Sequence, residues 1–110
     1  MFHMHTSFDL SPNVKIEDYK ATLERFSALM QASELLLETG PVMQRCHHPV
    51  MDTDEQRSHQ YFFVMSFTDR SQCDAAVEHI KAADPASTPV HRAVYEDIIN
   101  PIFSCWVDPD

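Results

Sequence analysis

Glycine is almost absent from this chain: Gly40 is the only one in 110 residues. A phosphate-cradling loop needs several glycines so that backbone N–H groups can close on the anion, so Gly-rich nucleotide loops are excluded and no cofactor is expected. Basic residues are few as well, eight against seventeen acidic, for a formal net charge of −9. They are dispersed along the chain as Lys15, Lys20, Arg25, Arg45, Arg57, Arg70, Lys81 and Arg92. Nucleic acid and anionic membrane both need clustered cations, so neither is an expected partner. The cysteines Cys46, Cys73 and Cys105 are odd in number and lack a C-x-x-C spacing. They read as unpaired thiols of a reduced, cytoplasmic chain rather than a disulfide framework. No apolar run is long enough for a membrane span or a signal peptide, and no leader is expected before the folded-looking sequence that follows Met1. The length fits one domain over residues 1–110.

What the chain does contain is a run of β-formers, Tyr61-Phe62-Phe63-Val64-Met65-Ser66-Phe67. Tyr61, Phe63, Met65 and Phe67 fall on one face of a strand; Phe62, Val64 and Ser66 fall on the other. A strand that is apolar on both faces belongs in the middle of a sheet covered twice.

Around it the periodicities alternate between two and three to four. Residues 2–10 alternate, with Phe2, Met4, Thr6, Phe8 and Leu10 on one face and His3, His5, Ser7 and Asp9 on the other, as in a half-buried strand. Ser11-Pro12-Asn13 supplies helix-start chemistry. Ile16, Tyr19, Leu23, Phe26 and Met30 then make one apolar stripe on an amphipathic helix. Gly40-Pro41 follows the end of that helix, and residues 42–48 read as a second strand, with a polar hairpin loop over 49–58. Asp69 with Gln72 resembles a capping box, and Cys73, Ala76, Val77 and Ile80 form a second stripe. Asp84-Pro85 breaks it. Thr88-Pro89 opens a short helix with Val90, Val94 and Ile98 on its apolar face, Asn100-Pro101 stops it, and residues 102–107 form the last strand.

The order is strand, helix, strand, strand, helix in two pieces, strand. That is α+β, a ferredoxin-like βαββαβ with an antiparallel four-stranded sheet whose first and third strands are central. Both crossovers place their helices on one side, leaving Phe62, Val64 and either Phe103 or Trp106 bare on the other. A patch of that extent implies a partner, and a second copy of the chain would complete a dimeric barrel.

The segment His91-Arg92-Ala93-Val94-Tyr95-Glu96-Asp97-Ile98-Ile99-Asn100-Pro101, running into a strand that ends at Asp108, resembles the closing segment of stress-responsive dimeric α/β-barrel domains. Phe8-Asp9-Leu10 is similar to the Phe-x-Leu of that family's first strand, and Phe67 before the second helix also has a counterpart. The resemblance implies a homodimer whose helix-free sheet faces pack into a barrel. The family is mixed: many members have no known activity, and a plant polyketide cyclase is one enzyme among them. In that class a pocket between helices and sheet holds a catalytic His at the position of His91, helped by a Tyr. This chain departs from the pattern in having Met4 where the family has a strand-one His, a longer stretch from Phe67 to His91, and no Tyr a turn or two before His91.

His91 is therefore the candidate general base, facing an apolar pocket whose walls would include Met4, Tyr61 and Phe63 as ligand contacts. A small apolar or aromatic ligand is the expected occupant, and a cofactor-free polyketide cyclase-like or monooxygenase-like enzyme is the alternative. As an ordinary helix-surface residue, His91 would only hydrogen-bond a neighbour, and Tyr61 would be a core tyrosine. His3 and His5 share a face and could meet His47 or His48 at a metal, but no third ligand completes a recognisable spacing, so they are expected to line the interface and no metal is expected. The thiols read as small core residues, because no basic neighbour in sequence would activate them.

Overall fold

Two long central strands, each with an apolar face toward the helices, organise the sheet. The computed structural model describes residues 1–82 and 88–110. β1 (Phe2–Leu10) and β4 (Tyr61–Phe67) pair antiparallel, with Met4 opposite Met65 and Thr6 opposite Phe63. β5 (Ile98–Val107) pairs antiparallel with the other edge of β1, placing Cys105 opposite Met4 and Phe103 opposite Thr6. Two short strands, β2 (Glu38–Thr39) and β3 (Met43–Gln44), both pair with β4. The sheet order is β2-β4-β1-β5, so β1 and β4 are central as expected.

Among the described residues three helices complete the fold: α1 (Ile16–Ala32), α2 (Arg70–Lys81) and α3 (Thr88–Glu96). The stripe Tyr19, Leu23, Phe26 and Met30 of α1 packs with Phe8, Phe63, Met65 and Phe67 of the sheet, Ala76 of α2 and Val94 of α3 in one buried core. Burying each large side chain contributes about 1.5–3 kcal/mol before conformational entropy is subtracted. Phe62, Val64, Ile102 and Trp106, on the opposite parity, have no part in that core. Ile102 is 46% and Trp106 59% exposed. Of the two residues considered for the bare face, Trp106 lies on it, whereas Phe103 shares the helix-side parity with Thr6 and reaches the Tyr95 ring at 5.9 Å.

Several local expectations are corrected. The segment from Ser11 to Asn13 does not cap α1: the helix starts at Ile16 after an extended Lys15, with no side-chain cap. Asn13 is left-handed, at φ 73°, and Val14 N–H closes a turn on the Ser11 carbonyl at 3.2 Å, which displaces the helix start. The strand expected over 42–48 is reduced to β3, and β2 before Gly40-Pro41 adds a piece that makes the sheet five-stranded. Pro41 has no N–H to donate, which interrupts pairing between the two pieces. Ile98 begins β5 instead of ending the last helix, and Pro101 lies inside that strand. A proline is tolerated there because β5 is at the sheet edge, and Asn100 at φ 55° together with a register shift at Ser7/Asp9 absorbs the irregularity. Asp69 does cap α2, accepting from Gln72 N–H at 2.9 Å. Gln72 in turn accepts from Thr68 N–H at 2.7 Å. The expected break at Asp84-Pro85 lies outside the described residues.

Candidate functional site

Between the three helices and the sheet lies a cavity of about 230 Å3. Its walls are Met4 of β1, Phe26 and Met30 of α1, Leu36, Met65 and Phe67 of β4, a face of α2 from Cys73 to Lys81, and His91 and Tyr95 of α3. Helical spacing explains the last pair. His91 and Tyr95 are four residues apart, so they share one face of α3, and their rings lie 4.8 Å apart at a tilt of 55°. The His91 ring also meets Phe26 at 5.5 Å.

Electrostatics follow from that packing. Burial holds the His91 imidazole below its ordinary value of 6.5, because the apolar surroundings disfavour the charged form. At neutral pH it is an uncharged imidazole, able to accept a proton. Burial pushes the Tyr95 hydroxyl up to about 12, so it stays protonated and can donate a hydrogen bond. An uncharged imidazole and a protonated phenol therefore stand side by side in a lining that is mostly apolar. The Cys73 thiol is also pushed up, first by burial and then by Cys105, and is protonated and unreactive at neutral pH.

Of the residues singled out in the sequence, Met4 and His91 meet in this cavity. Phe63 is fully buried in the core, edge-on to Phe8 at 5.7 Å, and does not line the cavity. Tyr61 stacks on Phe8 at 5.7 Å and lines a separate depression with Arg45, Arg57 and His59. Tyr95 is a site residue outside those candidates: it follows His91 instead of preceding it, and the i,i+4 spacing is its signal in the sequence.

The other histidines are engaged elsewhere. His3 Nδ1 lies 2.8 Å from Ser66 Oγ, and its Nε2 lies 3.0 Å from Asp108. The His3 bond, followed by that from the N-terminal ammonium, holds the Asp108 carboxyl below the usual carboxylate range. The His5 ring lies between Phe62 at 5.8 Å and Trp106 at 5.9 Å, on the helix-free face. His47 is 3.6 Å from Asp52, and His48 Nδ1 accepts from the N–H groups of Val50 and Met51. Among the described residues no group of three His, Cys, Asp or Glu side chains could hold a metal ion.

The loop before β4 has its own organiser. Arg45 forks onto Asp52 at 2.6 and 2.7 Å and donates to the carbonyls of Arg57 at 2.8 Å and Asp54 at 2.9 Å. Four of its guanidinium N–H groups are thereby spent on holding the loop. The Arg57 side chain, followed by backbone N–H groups, holds the Asp54 carboxyl down at about 2.

No family model matches the chain, and no curated protein does. Its likeness is to solved structures, and it places the chain in the ferredoxin-like α+β fold. The Arabidopsis thaliana protein At3g17210 superposes with a TM-score of 0.74 at 8% identity, over 100% of this chain and 97% of that one. SnoaB from Streptomyces nogalater, a cofactor-independent oxygenase, does so with a TM-score of 0.66 at 10% identity, over 99% of this chain and 93% of its own. A dimeric protein of unknown function and ferredoxin-like fold from Bacteroides fragilis gives a TM-score of 0.51 at 12% identity, over 96% and 93% of the two chains. Identities this low show the fold alone. No helix among the described residues is long and apolar enough to cross a membrane.

Proposed function

We propose that this chain is a dimeric α/β barrel of the stress-responsive type that binds a small apolar or aromatic molecule in the cavity under its helices. One observation carries the reading: an apolar cavity of about 230 Å3 whose wall sets an uncharged His91 beside a protonated Tyr95. Binding sites for small molecules combine an apolar lining with a few convergent polar groups in this way. Three methionines, Met4, Met30 and Met65, line it and suit an adaptable fit. Their methyl resonances provide the test. Small aromatic compounds should shift the Met4, Met30 and Met65 methyls together with the His91 ring, while Met43 and Met51 stay fixed. A panel of such compounds that leaves the three methyls unmoved at millimolar concentration would remove the reading.

The homodimer forms through the helix-free sheet face. Its support is the exposure of Ile102 and Trp106 beside Phe62 on that face, together with a fold neighbour that is dimeric. The unpaired cysteines support a reducing, cytoplasmic setting.

A second reading has its own observation. A desolvated, uncharged imidazole facing the cavity is a general base as well as a ligand contact, and SnoaB shows that this fold carries cofactor-independent oxygenase activity. On this reading His91 takes a proton from a bound ligand while Tyr95 donates a hydrogen bond to the developing oxyanion. Deuterium exchange at an acidic C–H of a cavity-bound ketone tests it. The wild type should catalyse the exchange and His91→Ala should not; equal rates would leave only the binding role.

A further inference from the structure

Among the described residues, the lining of the cavity is neutral inside and charged at its mouth. His91 is uncharged at neutral pH, Tyr95 is protonated, and Cys73 is a neutral thiol. Among the described lining residues the one formal charge is Lys81. Val77 and Lys81 are one turn apart on α2, and both line the cavity while standing in solvent, at 42% and 70% exposure. The mouth therefore runs along this face of α2, with the Lys81 stem against the wall and its ammonium outside. Among the described residues the ammonium pairs with Glu78 at 3.9 Å, a long contact between exposed groups that a better-placed anion can displace. The surroundings give the charge its meaning. The chain carries −9, and the C-terminal end of α2 adds the partial negative charge of the helix dipole. Among the described lining residues, Lys81 supplies the formal positive charge that an anion would meet at this mouth.

We infer that the ligand is a small amphipathic monoanion, its apolar body under the helices and its carboxylate at the Lys81 ammonium. The inference rests on the reading that the cavity takes a ligand at all. The cavity is smaller than the roughly 300–1,000 Å3 that houses drug-sized molecules, so the body is limited to about one ring with a short chain. Deeper inside, the described lining offers a carboxylate no opposite formal charge, which fixes the orientation: apolar end inward past Met65 and Phe26, carboxylate outward.

A matched pair of probes separates the two layers of the argument. 4-Phenylbutyrate and 4-phenyl-1-butanol share a body and differ in the charge of the head. Titrated against the Met4, Met30 and Met65 methyl signals, the acid should bind about three- to fivefold more tightly than the alcohol, the size of effect an exposed ion pair supplies. That preference should vanish in Lys81→Gln and in 1 M salt, where screening acts within about 3 Å, while alcohol binding stays the same. Glu78→Gln, which frees the ammonium, should strengthen acid binding alone. Equal binding of the two probes by the wild type, or a preference that survives Lys81→Gln, would overturn the anionic assignment and leave the cavity reading intact. Failure of both probes to move the methyls would overturn the cavity reading itself.

Discussion

Phe26→Ala probes the core and the site in one substitution. Phe26 is 3% exposed, lies in the α1 stripe, and forms the cavity wall against which the His91 ring rests at 5.5 Å. A buried aromatic removes about 200 Å2 from water, worth about 5 kcal/mol at about 25 cal/mol per Å2, and alanine keeps part of that. Phe→Ala in cores costs about 3–5 kcal/mol. The loss should fall at the lower end, about 3 kcal/mol, because one side of the ring already faces a cavity and has fewer packed neighbours to lose. With a urea slope of about 1–3 kcal/mol per M, the unfolding midpoint should drop by roughly 2 M with an unchanged slope. The pH dependence should change as well. In the wild type the folded His91 value lies below 6.5, so the unfolded chain takes up the proton first; stability falls as pH drops below 6.5 and levels off once the folded imidazole is also protonated. Removing the Phe26 ring admits water beside the imidazole, so its titration should move up toward 6.5 and that loss of stability should shrink. Urea melts between pH 5 and 8, with NMR titration of His91, read both effects. A midpoint shift below about 0.5 M with unaltered His91 titration would show that Phe26 neither packs the core nor desolvates the site.

Phe62→Asp should convert the proposed dimer to monomer or aggregate, since an unpaired carboxylate buried in the sheet-on-sheet interface costs several kcal/mol; a stable wild-type monomer by light scattering at micromolar concentration refutes the interface. Asp69→Ala removes the oxygen that accepts from Gln72 N–H at 2.9 Å and should cost about 1 kcal/mol, read as a lower urea midpoint. The loop before β4 should loosen in acid. The fold depresses the Asp54 carboxyl to about 2 from an ordinary 3.8, so its contribution is complete above pH 3.8 and disappears as pH falls toward 2. The amide signals of Gln56 and Arg57, which donate to Asp54 at 3.0 and 3.1 Å, should shift together through that window, and signals that hold still down to pH 2 would refute it.

Local pattern carried much of the architecture. The two-sided run at 61–67 is β4 residue for residue, the stripe expected from Ile16 to Met30 is buried from Tyr19 onward on α1, and Asp69 caps α2. Each is decided by periodicity or by a side chain a few residues away, so the sequence alone suffices. Met4 and His91 both line the cavity, since strand parity and the crossover put them on the helix side of the sheet.

What the sequence left undecided depends on partners distant in the chain. Ile98 continues a helical spacing from Val94, yet it is the first residue of β5, because pairing with Leu10 in β1 outweighs the local helical preference. Pro101 reads as a strand breaker and is tolerated only because tertiary arrangement leaves β5 at the edge. Phe103 and Trp106 differ by an odd number of positions, and only the register with β1 decides which of them faces the bare side. The site shows the same division. The sequence determined that His91 would face apolar groups; tertiary packing brought Phe26 against its ring, kept Tyr61 and Phe63 off the cavity wall, and closed α2 over the space so that desolvation sets the charge of what lies inside.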